Sequence, residues 1–170
     1  MYKSGNKAKI DKYNGLYMDL AHRLAMMSHA RRKQVGVIAV RDYTTISDGY
    51  NGMPSGMDNC CEDPETGMTR PEVLHAENNM REKLRRSGNS LEDSDVYCTL
   101  SACVNCAEIM IEEGVKRFHY AEAYRDNSGI LLLEEKGVEC IQVFATMPFD
   151  LIDNTLEIEQ TARNLKVSMS

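Results

Sequence analysis

Residues 74–80, LHAENNM, and residues 99–110, TLSACVNCAEIM, decide how this chain is expected to fold and act. Each stretch places metal-binding side chains at the start of a predicted helix: His75 in the first, and Cys103 with Cys106 in the second. Two positions on a helix differ by about 200° of rotation, which disfavours Glu77 as a second ligand beside His75. Glu77 is therefore expected to have another role.

The two cysteines are three positions apart in the first turn of a helix, so both thiols project to the same side. The positive end of the helix dipole lowers the pKa of such thiols and favours the thiolates that bind metal. Cys103, Cys106 and His75 form a donor set that suits zinc and leaves its fourth position for water, as in catalytic sites. Glu77 would then lie beside that water.

Each motif alone says little, because C-x-x-C also occurs in structural zinc sites and redox pairs, and H-x-E is common. Their order changes the interpretation. H-x-E followed by C-x-x-C, with each motif at the head of a helix and a strand between them, is typical of zinc-dependent deaminases. The sequence therefore predicts a catalytic zinc site rather than a structural one.

The chain has 170 residues, 42% of them apolar, which predicts a single domain over 1–170, with residues 1–10 flexible and a tail helix over 154–170. A net charge of -6 disfavours extended contact with nucleic acid. No segment approaches the roughly 18 apolar residues of a membrane span, so we expect a soluble cytoplasmic protein, in the host cytoplasm if a phage encodes it. Six intracellular cysteines favour metal binding or burial over disulfides.

The first predicted helix runs from Asp11 to about Ala30, with an apolar stripe that includes Leu16 and Leu20. Two β-branched runs joined by Asp42 and Tyr43 then predict a hairpin, and a loop rich in Gly, Pro and Asn follows. After the loop, helices and strands alternate, which implies parallel pairing. We expect an α/β fold, a three-layer α/β/α sandwich around a five-stranded mixed sheet. The later predicted helices are 75–86, 104–114 and 126–137, and the predicted strands are 34–42, 44–52, 95–101, 115–123 and 138–144.

The chain resembles the deoxycytidylate (dCMP) deaminase family of cells and tailed bacteriophages. The resemblance covers most of the chain: residues 18–40, GYNGMPSG (49–56), HAENN (75–79), 99–111, YAEAYRD (120–126) and 137–143. The GYNGMPSG loop, together with HAExN, separates this family from the cytidine, tRNA-adenosine and polynucleotide cytosine deaminases. The family usually has proline before the first cysteine of C-x-x-C, where this chain has Ala102, but no ligand is lost.

The resemblance implies hydrolytic deamination of dCMP to dUMP and ammonia, with Zn²⁺ as the catalytic ion and no redox cofactor. Glu77 would take a proton from the attacking water and deliver protons to N3 of the cytosine and to the departing amine. The product, dUMP, would supply dTMP synthesis.

The resemblance also implies substrate contacts. Asn51 would bind the deoxyribose 3′-hydroxyl, and the backbone at Ala76 and Ser101 would hold the pyrimidine edge. Tyr124 and Arg125 follow a predicted strand at the edge where α/β proteins bind ligands, which suggests packing on the ring or sugar and contact with the 5′-phosphate. A surface Tyr–Arg pair is the alternative.

A regulatory site is implied as well. The family binds a nucleoside triphosphate between subunits, which implies a homo-oligomer, most simply a hexamer, activated by dCTP and inhibited by dTTP, with Mg²⁺ accompanying the triphosphate. Glycines let backbone approach phosphates closely, and the basic run at 31–33 suits a phosphate or, alternatively, the C-terminal end of a helix. The expected effector-binding residues are Arg31, Arg32, Gly49, Gly52, Ser55, Gly56 and Asn79. An unregulated enzyme whose loop covers the active site is the alternative.

Two rival functions are less compatible with the sequence. Deamination of a base in RNA or single-stranded DNA needs a basic channel lined by aromatic residues, whereas this chain is acidic and has no tryptophan. A non-enzymatic zinc-stabilised module would close the fourth zinc position with another Cys or His. A free pair in the loop is the preferred interpretation of Cys60 and Cys61, with a second metal site as the alternative.

Overall fold

The computed structural model describes residues 7–144, which form four helices and five strands. The helices are α1 (Lys7–Ala25), α2 (Ala76–Arg86), α3 (Val104–Glu112) and α4 (Ser128–Glu135). The strands are β1 (Gly36–Arg41), β2 (Thr44–Tyr50), β3 (Asp95–Leu100), β4 (Arg117–Glu122) and β5 (Glu139–Gln142).

The strands form one mixed sheet in the order β2-β1-β3-β4-β5. The hairpin of β1 and β2 turns through Asp42 and Tyr43, whose φ angles of 51° and 63° give a tight two-residue connection. β1 pairs antiparallel with β3, whereas β3, β4 and β5 run parallel, with α3 and α4 as their crossovers. The predicted α/β fold with a five-stranded mixed sheet is confirmed.

The sheet is buried on both faces. Successive side chains of β1 point to opposite sides and enter two different apolar clusters. Val37 and Ala39 belong to the apolar cluster that includes buried residues of α2, α3 and α4. Ile38 and Val40 belong to a second cluster that includes the buried residues of α1. The three layers follow from this alternation.

The first helix differs from its prediction in its ends and in its buried face. It begins four residues earlier and ends at Ala25, and Leu16 and Leu20 on its surface are 47% and 39% exposed. Tyr17 and Ala21 are buried instead. The reason is the close approach of α1 to β1, since a Cβ atom at Gly36 would lie 2.0 Å from the Ala21 carbonyl oxygen. Glycine at position 36 of β1 is what allows this approach of the helix backbone.

Two expectations concern chain ends. Residues 7–10, expected to be flexible, are helical, and residues 1–6 fall outside the described part. The predicted tail helix at 154–170 also lies outside the described residues. Within residues 7–144, no helix is both long enough and apolar enough to span a membrane.

The buried side chain of His119 on β4 makes the stability of the core depend on pH. The residue is 2% exposed, its ring stacks on Tyr97 with 4.2 Å between centroids, and neither ring nitrogen has a hydrogen-bond partner among the described residues. Burial lowers the pKa of His119 from 6.5 to about 4. Below pH 6.5 the unfolded chain therefore binds a proton that the folded chain does not bind until about pH 4, so stability falls as pH decreases through this window.

We expect His119→Phe to keep the stacked ring, remove the two unpaired nitrogens and raise the free energy of unfolding by about 1–2 kcal/mol at pH 7.5. The advantage of the variant should grow by up to about 3 kcal/mol as pH falls toward 4, because it lacks the titrating group. Denaturant unfolding of both proteins at pH 7.5, 6 and 5 measures this difference, and the metal site contributes equally to both. Parallel pH profiles would contradict the interpretation.

Candidate metal centre and its cavities

Two helix N-termini meet at the end of the sheet where β3 and β4 finish. His75 is the N-terminal cap of α2, and Cys103 is the N-terminal cap of α3. The His75 Nδ1 atom lies 3.6 Å from Cys103 Sγ and 3.4 Å from Cys106 Sγ, and the three donor atoms all lie within 4.8 Å of one another. The structure therefore brings together the three side chains predicted as ligands.

These distances fit zinc. A tetrahedral zinc ion with Zn–N near 2.0 Å and Zn–S near 2.3 Å holds its nitrogen and sulfur donors about 3.5 Å apart. Among residues 7–144, this is the only group of three His, Cys, Asp or Glu side chains close enough to share an ion. The alternative second metal site at Cys60 and Cys61 does not form such a group within that range.

The three side chains of the cluster differ in how readily they lose a proton. A hydrogen bond with Cys106, and then one with His75, lowers the pKa of the Cys103 thiol from 9.0 to about 4. The hydrogen bond with Cys103 and burial raise the pKa of Cys106, and the bond with Cys103 also raises the pKa of His75. One thiolate is thus already favoured, and a divalent cation that binds all three groups displaces the remaining protons.

Glu77 lies in the first turn of α2 and is 5% exposed. It is absent from the group of ligand atoms, as helix rotation predicts. Burial raises the pKa of its carboxyl group, opposed by the nearby charge of His75. The thiol of Cys98 on β3 lies 4.0 Å from Glu77 Oε1 and can donate to it. No motif in the sequence indicates this contact.

A cavity of about 720 Å³ opens beside the cluster and is lined by His75, Glu77 and Cys103. All five predicted substrate-binding residues line the same cavity: Asn51, Ala76, Ser101, Tyr124 and Arg125. The backbone N–H of Tyr124 donates to Ser101 Oγ at 2.8 Å, which joins the segments that follow β3 and β4. The five residues assigned to the substrate from the sequence therefore lie around one cavity, beside the predicted metal ligands.

The side-chain amide of Asn51 has partners within the chain. Its Oδ1 atom accepts a hydrogen bond from the Val35 backbone N–H at 2.8 Å, and its Nδ2 atom donates to the Lys33 carbonyl oxygen at 2.9 Å. Asn51 therefore fixes the segment before β1 and lines the cavity at the same time. Each end of an amide can form a further hydrogen bond, so these contacts leave the Asn51 side chain able to bind a sugar hydroxyl.

A second cavity of about 740 Å³ lies against β2, α2 and the long loop. It is lined by five of the predicted effector residues: Gly49, Gly52, Ser55, Gly56 and Asn79. His29, Lys83 and Arg86 also line it, and sequence reasoning missed them. Positions 79, 83 and 86 share one face of α2 by helical spacing, which is the signal that could have identified the two cations on the helix.

Three of the expected effector-binding residues differ from the others in their surroundings. Arg32 lines the cavity of the metal cluster instead of the glycine-lined one, and Arg31 lines neither. The reason is the path of the segment that leaves α1, whose backbone is held against the long loop by Glu62. Gly49 does line the second cavity, but its small size is required by α2, since a Cβ atom there would lie 2.4 Å from the Ala76 carbonyl oxygen.

Gly129, at the start of α4, packs against the backbone next to the metal cluster, and no sequence motif indicated it. A Cβ atom at this position would lie 2.0 Å from the Ala102 carbonyl oxygen and 2.8 Å from the Cys103 carbonyl carbon. α4 therefore packs directly on the backbone that carries the first cysteine ligand. Ala102, which replaces the proline usual in the resembled family, is 1% exposed and lies in this contact.

A His/Cys/Cys donor set on two helix N-termini, with a buried carboxylate beside it, defines the class of zinc-dependent deaminases, which are hydrolases. The chain belongs to the family described as the cytidine and deoxycytidylate deaminase zinc-binding region, whose model matches residues 12–122.

Individual relatives agree with this assignment. The chain is 31% identical over 138 residues to ComE operon protein 2 of Bacillus subtilis (strain 168), covering 77% of this chain and 71% of that protein. It is 27% identical over 168 residues to the deoxycytidylate deaminase of Enterobacteria phage T4, covering 74% and 87%. It is also similar to the crystal structure of dCMP deaminase from the cyanophage S-TIM5 in complex with dCMP and dUMP. That similarity has 38% identity, a TM-score of 0.75, and coverage of 78% of this chain and 97% of the other.

The contact of α4 with the metal centre predicts the effect of adding one methyl group. Gly129→Ala should force α4 or the Ala102–Cys103 backbone to move, displace Cys103, and lower both zinc content and stability, the latter by about 1–3 kcal/mol. Zinc per chain by atomic absorption and thermal unfolding measure the two effects.

Gly52→Ala is the matched control, because nothing lies within 4 Å of a Cβ atom at that position. It should bind zinc and unfold like the unmodified protein. A Gly129→Ala variant with full zinc occupancy and an unchanged melting temperature would show that the cluster does not depend on this contact.

Proposed function

We propose that this chain hydrolyses dCMP to dUMP and ammonia and so supplies dUMP for dTMP synthesis. The observation that carries the proposal is the position of buried Glu77 beside the His75, Cys103 and Cys106 donor set, in one cavity with the residues assigned to the nucleotide. Relatives named deoxycytidylate deaminase, and a similar structure described in complex with dCMP and dUMP, support the choice of substrate.

In the proposed reaction His75, Cys103 and Cys106 hold the zinc ion, which supplies a water activated for attack near neutral pH. Glu77 accepts the proton of that water as oxygen bonds to C4 of the cytosine. The carboxyl group passes this proton to N3. It then takes the proton of the hydroxyl group on C4 and delivers it to the amine, so that the C4=O bond forms, the C4–N bond breaks and ammonia leaves. Burial raises the pKa of this carboxyl group, which favours a role in which it both accepts and returns protons.

Other residues of the cavity orient the substrate in this proposal. Asn51 binds the 3′-hydroxyl, the backbone at Ala76 and Ser101 holds the pyrimidine edge, and Tyr124 with Arg125 contacts the sugar and the 5′-phosphate. Orientation of this kind contributes because the reacting atoms must stay in contact while protons move.

Glu77→Gln tests the role of the carboxylate. The variant should fold and retain zinc, because Glu77 lies outside the ligand group, but turnover of dCMP should fall by about 10²–10⁴, the usual contribution of one general acid–base group. Steady-state ammonia release and zinc content are measured on the same preparations. Near-normal turnover would remove Glu77 from the mechanism.

Ligand substitutions serve as the contrasting controls for this experiment. His75→Ala and Cys103→Ala each delete a proposed ligand, so they should lose zinc together with activity. The unmodified protein should release ammonia from dCMP in a panel that also contains CMP, dCTP and a cytosine-containing oligonucleotide. Reaction with the oligonucleotide alone would refute the proposed substrate.

The second cavity is proposed as a regulatory site for nucleoside triphosphates, with dCTP as activator, dTTP as inhibitor and Mg²⁺ as the companion ion. Its glycines and Asn79 lie with two cations, Arg86 and Lys83, of which Lys83 pairs with Asp48 at 2.6 Å. Accessible backbone together with positive charge suits phosphates. A homo-hexamer that binds the effector between subunits is part of the proposal. Both nucleotides must differ in affinity between two states of the assembly, because equal affinity shifts nothing.

Turnover of dCMP with added dTTP, and then with excess dCTP, tests regulation. We expect a sigmoidal response to dCMP in the presence of dTTP, with reversal of the inhibition by dCTP. Simple competition between dTTP and dCMP, without sigmoidal kinetics or reversal, would refute regulation and leave the deaminase activity unaffected.

A further inference from the structure

Glu62 lies in the long loop between β2 and α2 and faces the segment that joins α1 to β1. The residue is 8% exposed, although it is acidic. Its Oε1 atom accepts hydrogen bonds from the backbone N–H groups of Arg31 at 2.8 Å and Arg32 at 3.2 Å. A mostly buried carboxylate is costly unless it has such partners, and here both donors are consecutive backbone groups. Glu62 therefore fixes the backbone at the point where the Arg32 side chain leaves it.

The loop presents Glu62 from a short, closed hairpin. Glu62 pairs with Thr69 in an antiparallel bridge, and the N–H of Arg70 donates to the Cys61 carbonyl oxygen at 2.9 Å. The turn of the hairpin is closed by Asp63, whose Oδ1 atom accepts the N–H of Thr66 at 2.8 Å. The carboxylate is thus held in place before any ligand binds.

The cavity of the metal cluster contains four cationic side chains: Arg32, Lys33, Arg70 and Arg125. Lys33 forms an ion pair with Glu122 at 2.5 Å, and Arg70 forms one with Asp58 at 3.1 Å. Among residues 7–144, no ion pair involves either of the two remaining guanidinium groups. The positive charge available to an anionic ligand in this cavity is therefore that of Arg32 and Arg125.

We propose that Glu62 is a positioning residue for recognition of the substrate's 5′-phosphate, acting through Arg32. The inference rests on the proposed deamination of dCMP. Glu62 holds the backbone of Arg32, a residue that lines the cavity, and the planar guanidinium group of Arg recognises phosphate by paired hydrogen bonds. Asn51 fixes the next part of the same segment through Lys33 and Val35. Glu62 thereby favours nucleotides over nucleosides without touching the phosphate.

A double-mutant cycle with dCMP tests this coupling. Glu62→Ala should raise the KM about 10-fold and leave kcat within about twofold, because it removes hydrogen bonds that act on binding and not on the reacting atoms. Arg32→Ala should raise the KM at least as much. The double variant should be no worse than Arg32→Ala alone, because Glu62 has no other route to the phosphate. Additive losses would overturn the proposal.

Two further variants separate positioning from general damage. Glu62→Gln keeps an acceptor oxygen of the same reach and should stay within about threefold of the unmodified protein in kcat/KM. Glu65→Ala removes an exposed carboxylate from the same hairpin and should change nothing. Zinc content and thermal unfolding of each variant are measured in parallel.

A comparison of dCMP with deoxycytidine shows how much of the effect depends on the 5′-phosphate. The measured quantity is the ratio of kcat/KM for dCMP to kcat/KM for deoxycytidine, at high enzyme concentration. Glu62→Ala should lower this ratio about 10-fold, because deoxycytidine has no phosphate for Arg32 to bind. Equal losses with both substrates would mean a structural role, and an improved reaction with dCMP would mean that Glu62 repels the phosphate; either outcome overturns the inference. Absence of ammonia release from dCMP by the unmodified protein would instead refute the proposed function itself.

Discussion

The contact between two helix N-termini organises the functional end of this protein. Nδ1 of His75 lies 3.4 Å from Cys106 Sγ because parallel pairing of β3 and β4, with α3 as crossover, sets the start of α3 beside the start of α2. A sheet with only antiparallel neighbours would not place a crossover helix at this edge. The reversal of direction between β1 and β3 brings Asn51, at the end of β2, to the same edge. The donor set, the buried carboxylate and the cavity all depend on this geometry.

The fold was largely predictable because its strongest signals are local. Hydrophobic alternation and the Asp42–Tyr43 turn identified the hairpin, and the alternating helices and strands identified the parallel part. The end and the buried face of α1 were not predictable, because they are set by contact with Gly36 on a distant strand. Leu16 and Leu20 form as regular a stripe as the buried residues, so periodicity alone cannot tell which stripe faces the sheet.

The metal-binding side chains were predictable from the sequence. The residues that hold the surrounding backbone in place were less so. His75, Cys103 and Cys106 stand in motifs whose spacing reflects helix geometry, and the structure brings them together. Gly129 and Glu62 lie outside any motif, and each matters because of a backbone that it touches. Contacts between a side chain and a remote backbone leave no periodic signal in a sequence, so the position of Arg32 in the cavity of the metal cluster was not predictable.

Asn51 lines both cavities while its amide holds the Lys33 carbonyl oxygen and the Val35 N–H. A substitution at this position therefore changes the lining of two cavities and one backbone segment in a single genetic step. At position 51 the two cavities cannot change independently over evolutionary time, since a substitution there alters the lining of both. Independent change of either cavity must come from the residues that the other does not share.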